Sequence, residues 1–378
     1  MAKRITLFTN FSPTSGGGGT NLRTLVPELR GIQIRWLYTS ESDQNFPGAT
    51  WIGTPIAGGS LGRDLATATI LWCEHETARF REVVERLCDD DSDGFWVVGH
   101  NEGALVARAL CARRRPVHLT IQDDVPDGMF ARSTRYRWLS ALARPVFYDL
   151  LNRVSSFDVT SDGMYRYYRH IANRQGIVVH PYVDKLPAPL AQASAASDTL
   201  TVGHIGTLYS VREWSAFVDA LASYAASIGR KPRVIMIGLA AKFHAEISAA
   251  GSFIEIVGHL AEEKAIDRLS QSDFMYAMYP FDAASEVFRR TSLPTKLTTY
   301  LKCRKPLFAH TPMPSSLSEL VDRFSLGSVC DSSDADVLRR HIAAVARRVI
   351  LPEAFDSVRE EVYGIDNANR LEQSLLAL

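Results

Sequence analysis

Positively charged side chains cluster around one predicted helix start in the second half of the chain. Arg289 and Arg290 precede a Pro-Thr-Lys sequence at residues 294–296, and a helix is predicted over residues 297–303. Backbone N–H groups at a helix N-terminus bind phosphate, and neighbouring Arg and Lys side chains strengthen that binding. The segment therefore predicts a diphosphate site. Its candidate ligands are Arg290, Pro294, Thr295 and Lys296.

A second glycine-containing turn lies earlier in the same half, at residues 203–212, GHIGTLYSVR. It follows an apolar run and precedes a helix that contains Trp214. Gly206 allows the backbone to approach a diphosphate, and Arg212 adds a cation at the helix start. Several cations at the strand ends of one domain indicate a phosphorylated donor more specifically than any one of them. Gly206, Thr207 and Arg212 are therefore further donor-binding candidates.

The first half carries a glycine-rich loop at residues 12–21, SPTSGGGGTN, after the first predicted strand and before a helix predicted from about Leu22. It is neither a P-loop, since no Gly-Lys-Ser/Thr follows, nor a G-x-G-x-x-G sequence. Two interpretations stay open, a loop that contacts a ligand and a flexible loop without one. The first makes Gly17, Gly18 and Gly19 candidate ligand-binding residues.

The sequence VVGHNEGALV at residues 97–106 has the form of the G-x-S-x-G elbow of α/β-hydrolases. Its nucleophile position is occupied by Asn101, and a carboxamide is not a useful nucleophile toward esters. A hydrolase built on this elbow is therefore not expected. The position at a strand end still makes His100 a catalytic candidate, and Asn101 and Glu102 acceptor-binding candidates.

Two adjacent carboxylates, Asp123 and Asp124, follow another predicted strand. They could bind the hydroxyls of an acceptor or take up its proton, which makes both catalytic candidates. The alternative is a helix cap with a turn residue. The acidic run at residues 89–94 begins like an EF-hand loop, but its twelfth position is His100 instead of Glu, so no metal site is predicted.

Short apolar runs alternate with helical patterns along the whole chain, which predicts parallel sheets covered on both faces. The fold class is therefore α/β, with two doubly wound Rossmann-like domains facing across a cleft. We predict an N-terminal domain at residues 1–186, a Pro- and Ala-rich linker at 187–198 and a C-terminal domain at 199–378. As an alternative, the last helix packs back on the first domain. Strands are predicted at residues 5–8, 34–38, 95–98, 117–121, 157–160, 177–180, 201–205, 234–237, 254–257, 274–279, 306–309 and 328–330.

Composition excludes several functions. The chain has 42 basic and 42 acidic residues, so its neutral balance gives no general attraction to nucleic acid or anionic membranes. Its five scattered cysteines form no C-x-x-C pair, which indicates a reducing compartment. The N-terminus lacks a signal-peptide core, and no apolar run approaches the ~20 residues that span a bilayer. We expect a cytoplasmic protein without stable membrane insertion.

With both halves in view, the chain resembles the GT-B glycosyltransferases, in particular the retaining group numbered family four. In that family a glycine turn is followed six residues later by a basic residue that holds the donor diphosphate, the spacing of Gly206 and Arg212. A later donor segment commonly reads Pro-x-Lys-Leu-x-Glu-Tyr-Leu and then Lys-Pro-x-x-Ala. The sequences PTKLTTYL at residues 294–301 and KPLFA at 305–309 are similar to it.

The chain departs from the family at its pair of glutamates in the pattern E-x7-E. Those positions hold Thr291 and Thr299 here, and the second is where the family binds the donor ribose. The resemblance makes Thr299 a donor-site residue. It also places the acceptor on the N-terminal domain.

The resemblance implies a retaining, metal-independent glycosyltransferase that uses a nucleoside-diphosphate sugar and no other cofactor. The acceptor would be a glycan, a lipid-linked sugar, a small molecule or, less in keeping with the charge balance, nucleic acid. In an inverting enzyme Asp123 or Asp124 would be the base. The alternatives are a sugar-nucleotide epimerase on the same fold and a nucleotide-binding protein without catalysis.

Overall fold

A computed structural model describes residues 2–54, 60–72, 77–88, 91–100, 102–126, 138–188 and 198–378. The chain divides into two compact units, residues 1–182 with 365–378, and residues 183–364. The predicted domain boundary at residue 186 lies four residues beyond this division. The predicted linker at residues 187–198 falls largely outside the described residues.

The first unit contains a parallel sheet of seven strands in the order β3-β2-β1-β4-β5-β6-β7. Six of these strands coincide with predicted ones, and the short edge strand β3 was missed. The strands are β1 (Lys3–Thr9), β2 (Ile32–Tyr38), β3 (Ala49–Trp51), β4 (Gly94–Val98), β5 (Val117–Ile121), β6 (Ser156–Val159) and β7 (Ile177–Val178).

Helices cover both faces of this sheet. The first begins at Gly18, so the predicted start near Leu22 was wrong by one turn. The cause is Gly17, whose φ of 61° reverses the chain directly before the helix. The helices along the first half are α1 (Gly18–Leu25), α2 (Ser60–Trp72), α3 (Ala78–Cys88), α4 (Glu102–Ala112), α5 (Leu139–Arg153) and α6 (Asp162–Tyr168).

The second unit contains a parallel sheet of six strands in the order β10-β9-β8-β11-β12-β13. Each of the six coincides with a predicted strand, and the buried ones, such as β11, are continuous apolar runs in the sequence. The strands are β8 (Thr199–Ile205), β9 (Lys231–Ile237), β10 (Ile254–Val257), β11 (Phe274–Met278), β12 (Leu307–His310) and β13 (Gly327–Cys330).

The helices of the second unit bury apolar stripes against its sheet. In α7 (Val211–Ser227), the predicted stripe of Trp214, Phe217, Val218 and Leu221 is buried. The remaining helices are α8 (His244–Ala249), α9 (Glu262–Leu269), α10 (Glu286–Thr291), α11 (Lys296–Cys303), α12 (Ser316–Arg323), α13 (Ala335–Ala346) and α14 (Pro352–Glu361).

The last helix, α15 (Asp366–Leu376), belongs to the first unit. Its buried Leu371 and Leu375 complete an apolar cluster with residues of β1, β2 and β4. The backbone N–H of His180 donates to the Asn367 side chain at 2.8 Å.

A buried polar network lies between the first sheet and α15. His118 Nε2 is 2.7 Å from Asp158 Oδ2, and both residues are at most 1% exposed. The hydroxyls of Ser156 and Ser374 lie 2.8 and 3.2 Å from His118 Nδ1. Thr120 donates to the same Asp158 oxygen. The network therefore ties strands β5 and β6 to the C-terminal helix.

Within the part of the chain that the structure describes, no helix is both long and apolar enough to cross a membrane.

Candidate functional site

In both sheets the strand order reverses at a defined point. The order reverses between β1 and β4 in the first unit and between β8 and β11 in the second. In open parallel α/β sheets, ligands bind outside the carboxyl ends of the strands at this reversal. The residues after β8 and β11, and those after β1 and β4, are therefore the places to look for a site in each unit.

The turn after β8 contains a glycine that its backbone conformation requires. Gly206 has φ 77°, and its N–H donates to Ile237 O at 2.8 Å, which anchors the turn to β9. No described heavy atom lies within 4 Å of the position a Cβ would occupy. The glycine is thus required by its conformation, and the space beside it is open.

Lys296 is the first residue of α11, and its side chain reaches the turn after β8. Its Nζ donates to Thr207 O at 2.6 Å and lies 3.5 Å from His204 Nε2. It also lies 5.2 Å from the centroid of the Tyr209 ring, within range of a cation–π contact. The structure thus brings together predicted donor-site residues that are about 90 positions apart in sequence.

The ammonium of Lys296 is electrostatically unusual. Burial lowers its pKa from 10.5 to about 7. Both hydrogen-bonding partners of Nζ among the described residues, the Thr207 carbonyl and the His204 ring, are uncharged. A phosphate placed beside Nζ would favour the charged form and raise this pKa.

Arg212 lies at the start of α7, but its charge already has a partner. Its Nε donates to Glu213 Oε1 at 3.0 Å, while the Arg212 side chain stays 72% exposed. Glu213 is buried, and its carboxylate also accepts from the Ser210 hydroxyl. Burial alone would raise the pKa of Glu213, but the Ser210 and Arg212 hydrogen bonds hold it below its usual value. Arg212 is therefore oriented by a fixed carboxylate.

The other predicted cations of this half are more loosely held. Arg290 pairs with Glu286 at 3.1 Å, one turn earlier in α10, and both side chains are more than half exposed. Arg289 donates to the carbonyl of Asp282 at 2.8 Å. An exposed pair of this kind contributes little stability, so Arg290 could exchange its partner for a phosphate at low cost.

Thr291 and Thr299, which the sequence resemblance aligns with a pair of glutamates, lie in different environments. Thr291 is buried at the end of α10, and its hydroxyl donates to Val287 O at 2.7 Å. Thr299 is half-buried within α11. Thr295 precedes α11, and its carbonyl accepts from the Thr298 hydroxyl at 2.9 Å. Pro294 is buried, and its carbonyl accepts from Leu297 N at 3.1 Å.

Three residues of this candidate site were not predicted from the sequence: His204, Tyr209 and Glu213. Tyr209 packs against Tyr279 and Phe288, with ring centroids 5.9 and 5.1 Å away, which fixes the wall beside Lys296. A histidine in an apolar strand and a glutamate in a helix's first turn are ordinary in sequence. Only the residues that they contact in the folded chain identify them as part of this candidate site.

In the first unit, the glycine loop and the turn after β5 do meet. A Cβ on Gly18 would lie 2.1 Å from Gln122 Oε1, and one on Gly19 would lie 2.7 Å from Pro13 O. These glycines therefore allow close packing of the loop against its own backbone and against the turn. Gly17 supplies the reversal before α1. Contact between this loop and an acceptor stays a prediction.

The two adjacent carboxylates differ in exposure. Asp124 is 5% exposed, accepts a hydrogen bond from the Tyr168 hydroxyl and lies 4.0 Å from an Arg144 nitrogen. Asp123 is exposed. A buried carboxylate held by a tyrosine and an arginine suits a structural role, whereas Asp123 is accessible to a ligand.

A hydrogen bond joins the described residues on the two sides of the connection between β4 and α4. The Gly103 N–H donates to His100 O at 2.9 Å, and the half-buried His100 lies at the strand's carboxyl end. Glu102 is the first residue of α4 and is 4% exposed. Asn101 lies outside the described residues.

Gly103 makes the closest backbone approach in this turn, and we expect Gly103→Ala to destabilise the first unit by about 2 kcal/mol. A Cβ there would lie 1.8 Å from Val98 O, a backbone atom that cannot move without displacing β4. Urea denaturation of the two proteins measures the difference. Gly16→Ala is the matched control, since no described atom lies within 4 Å of its Cβ position; equal stability of both variants would contradict the prediction.

No protein-family model matches the sequence, and no curated protein matches it. Solved structures do match. The chain is similar to sucrose-phosphate synthase from Thermosynechococcus elongatus, with 14% identity, a TM-score of 0.70 and 98% of both chains covered. It is also similar to WaaG, a glycosyltransferase involved in lipopolysaccharide biosynthesis, with 11% identity, a TM-score of 0.65 and coverage of 98% of this chain and 99% of that one.

A third match is α,α-trehalose 6-phosphate synthase from Burkholderia multivorans, with 9% identity, a TM-score of 0.65 and coverage of 100% of this chain and 99% of that one. At such identities the matches establish the fold and leave the activity to be argued from the site. The predicted fold class is confirmed: the chain has the α/β fold of GT-B glycosyltransferases, with a parallel sheet in each of its two units.

Proposed function

We propose that the chain is a glycosyltransferase that moves a sugar from a nucleoside-diphosphate sugar to an acceptor. The observation that carries the proposal is the position of Lys296. Its ammonium lies at the carboxyl edge of the second sheet, beside an open glycine turn, with uncharged partners. A cation in that position is matched to a diphosphate, and the fold is shared with proteins named as glycosyltransferases.

In this proposal the diphosphate lies between Lys296 and the Gly206 turn, with Arg212 at its outer side. Departure of the sugar leaves additional negative charge on the diphosphate. Lys296 and Arg212 are held in place before reaction by Thr207 and Glu213, so they stabilise that charge with little reorganisation. The donor ribose is bound by something other than a carboxylate at positions 291 and 299.

The acceptor would bind the first unit, near the Gly17–Gly19 loop and His100. A retaining reaction without a metal ion lets the departing phosphate take up the acceptor's proton, and this is the outcome we propose. In an inverting reaction Asp123 would be the base, because its carboxylate is exposed while Asp124 is held by Tyr168. Full activity of Asp123→Asn would remove it from the chemistry.

Calorimetry with the diphosphates of uridine, guanosine, adenosine and thymidine tests the proposal. We expect one of them to bind, and Arg212→Ala to weaken that binding about tenfold, since an exposed charge-assisted contact is lost. Failure of all four to bind would overturn the donor site.

Incubation with the corresponding nucleotide sugars then distinguishes a glycosyltransferase, an epimerase and a binding protein. A glycosyltransferase needs an acceptor for net transfer, whereas an epimerase changes the donor sugar by itself. Tight diphosphate binding without turnover of any nucleotide sugar, over a broad panel of acceptors, would identify a binding protein.

A further inference from the structure

We propose that His204 is a positioning residue for the donor diphosphate, acting through Lys296. The identity of the ligand in this inference rests on the proposed function. The role of His204 rests on the geometry around Lys296. His204 lies in β8 and is completely buried, so it does not itself reach a ligand. It determines where the ammonium of Lys296 lies.

The tautomer of His204 follows from its neighbours. Its Nδ1 is 3.1 Å from the carbonyl oxygen of Tyr276, which can only accept a hydrogen bond. We therefore assign the proton of the neutral ring to Nδ1, which leaves a lone pair on Nε2. That lone pair lies 3.5 Å from Lys296 Nζ, so a neutral imidazole and an ammonium are complementary here.

The charge state of the ring is also determined. Burial, reinforced by the positive charge of Lys296, outweighs the hydrogen bonds to the backbone of Tyr276, Thr207 and Gly206 and lowers the pKa of His204 well below its usual value. The ring is therefore neutral across the physiological range and does not repel the ammonium. The other titratable side chains that the described residues bring to this cluster include Tyr276, whose ring centroid lies 6.0 Å from that of His204, together with Tyr209 and Tyr300. The Tyr300 hydroxyl donates to the same Tyr276 carbonyl at 2.9 Å.

Comparison with the neighbouring cations shows what this arrangement achieves. Arg212 and Arg290 pair with the carboxylates of Glu213 and Glu286. For Lys296, the described residues supply a carbonyl, an imidazole and the face of the Tyr209 ring, none of which carries a negative charge. Two of the three N–H donors of the ammonium are thereby held in fixed directions. Among the described residues no carboxylate neutralises its positive charge, so the charge is available to an anionic ligand.

Titration of Lys296 provides a test that a merely structural role for His204 would not affect. The Lys296 pKa is measured by pH-dependent chemical labelling and mass spectrometry in the full chain, without ligand. We expect His204→Phe, which removes the acceptor, to lower that pKa by about one unit, and His204→Gln, whose amide carries an acceptor, to restore most of it. An unchanged Lys296 pKa in His204→Phe would overturn the proposal.

His310→Phe is the matched control. His310 is an equally buried histidine that is also bonded to Tyr276, 3.1 Å from its hydroxyl, and its Nε2 donates to Ser332 O at 3.0 Å. Since both ring nitrogens are bonded elsewhere than to Lys296, we expect the Lys296 pKa to be unchanged in this variant. An equal fall in both variants would show a general loosening of the unit and contradict a specific role for His204.

The same variants are then compared for binding of inorganic pyrophosphate and uridine diphosphate from pH 6 to 9. We expect the affinity of His204→Phe to be about tenfold lower than that of the wild type at pH 8, and the two to converge at pH 6. A wild type that binds neither probe, nor any of the other three diphosphates, would refute the proposed function. The labelling result would still decide whether His204 positions Lys296.

Discussion

Lys296→Met is expected to weaken nucleoside-diphosphate binding about 100-fold at pH 7, equivalent to about 3 kcal/mol. Methionine approximates the length of the lysine side chain but carries no charge, so the loss reports the ammonium. Calorimetry against the diphosphate that binds the wild type measures it. Lys302→Met is the matched control on the same helix, since Lys302 pairs with Glu262 at 2.6 Å; an equal loss in both would refute the assignment.

The pH dependence of this binding has a definite sign. The free protein holds Lys296 with a pKa of about 7, and a bound diphosphate raises that pKa. At pH 8 the complex therefore takes up a proton, which calorimetry in buffers of different ionisation enthalpy detects. The affinity for the diphosphate therefore falls as pH rises above about 7. The Lys296→Met variant loses this part of the pH dependence.

The lysine also lowers stability in a way that depends on pH. Its pKa is about 7 in the folded protein and 10.5 for an unperturbed lysine, so the unfolded chain binds more protons between these values. The penalty is fully present below pH 7 and disappears as pH rises toward 10.5. Lys296→Met should therefore unfold at higher urea concentration than the wild type at pH 6, with a smaller difference at pH 9.

Asp158→Ala should destabilise the first unit by about 3–5 kcal/mol, because it removes one partner of a buried hydrogen-bonded pair. His118 and the Thr120 hydroxyl would both lose their acceptor in a region that excludes water. Thermal unfolding measures the change, which corresponds to a fall in Tm of about 10 °C for a unit of this size.

The control for this variant is Asp149→Ala. Asp149 pairs with Arg153 at 2.7 Å, but both side chains are about half exposed. We expect this variant to lose less than about 0.5 kcal/mol. A similar loss of stability in Asp158→Ala and Asp149→Ala would mean that burial does not determine the cost of removing the carboxylate.

The regular parts of the fold were predictable because they depend on local pattern. The apolar runs of β8 and β11 and the stripe of α7 are visible in the sequence, and the structure has all three. The strand β3 is three residues long with no apolar run, and it pairs with residues 36–38 of β2. The start of α1 was misplaced because four successive glycines do not show which one reverses the chain.

The candidate site was predictable only in part. Lys296 was identified from its motif, yet its uncharged partners depend on the packing of α11 against β8. His204 is indistinguishable in sequence from an ordinary core residue, since its partner Lys296 lies 92 positions away. The difference between Asp123 and Asp124 arises from Tyr168, which reaches one of them from a later helix.

The return of α15 to the first unit affects the order in which the protein can mature during translation. Leu371 and Leu375 are synthesised only after the whole second unit, residues 183–364. Until then, the cluster around Trp36 and Trp96 lacks the partners that cover it. The nascent first unit therefore leaves this cluster uncovered through most of synthesis, whereas the second unit can complete its core without α15.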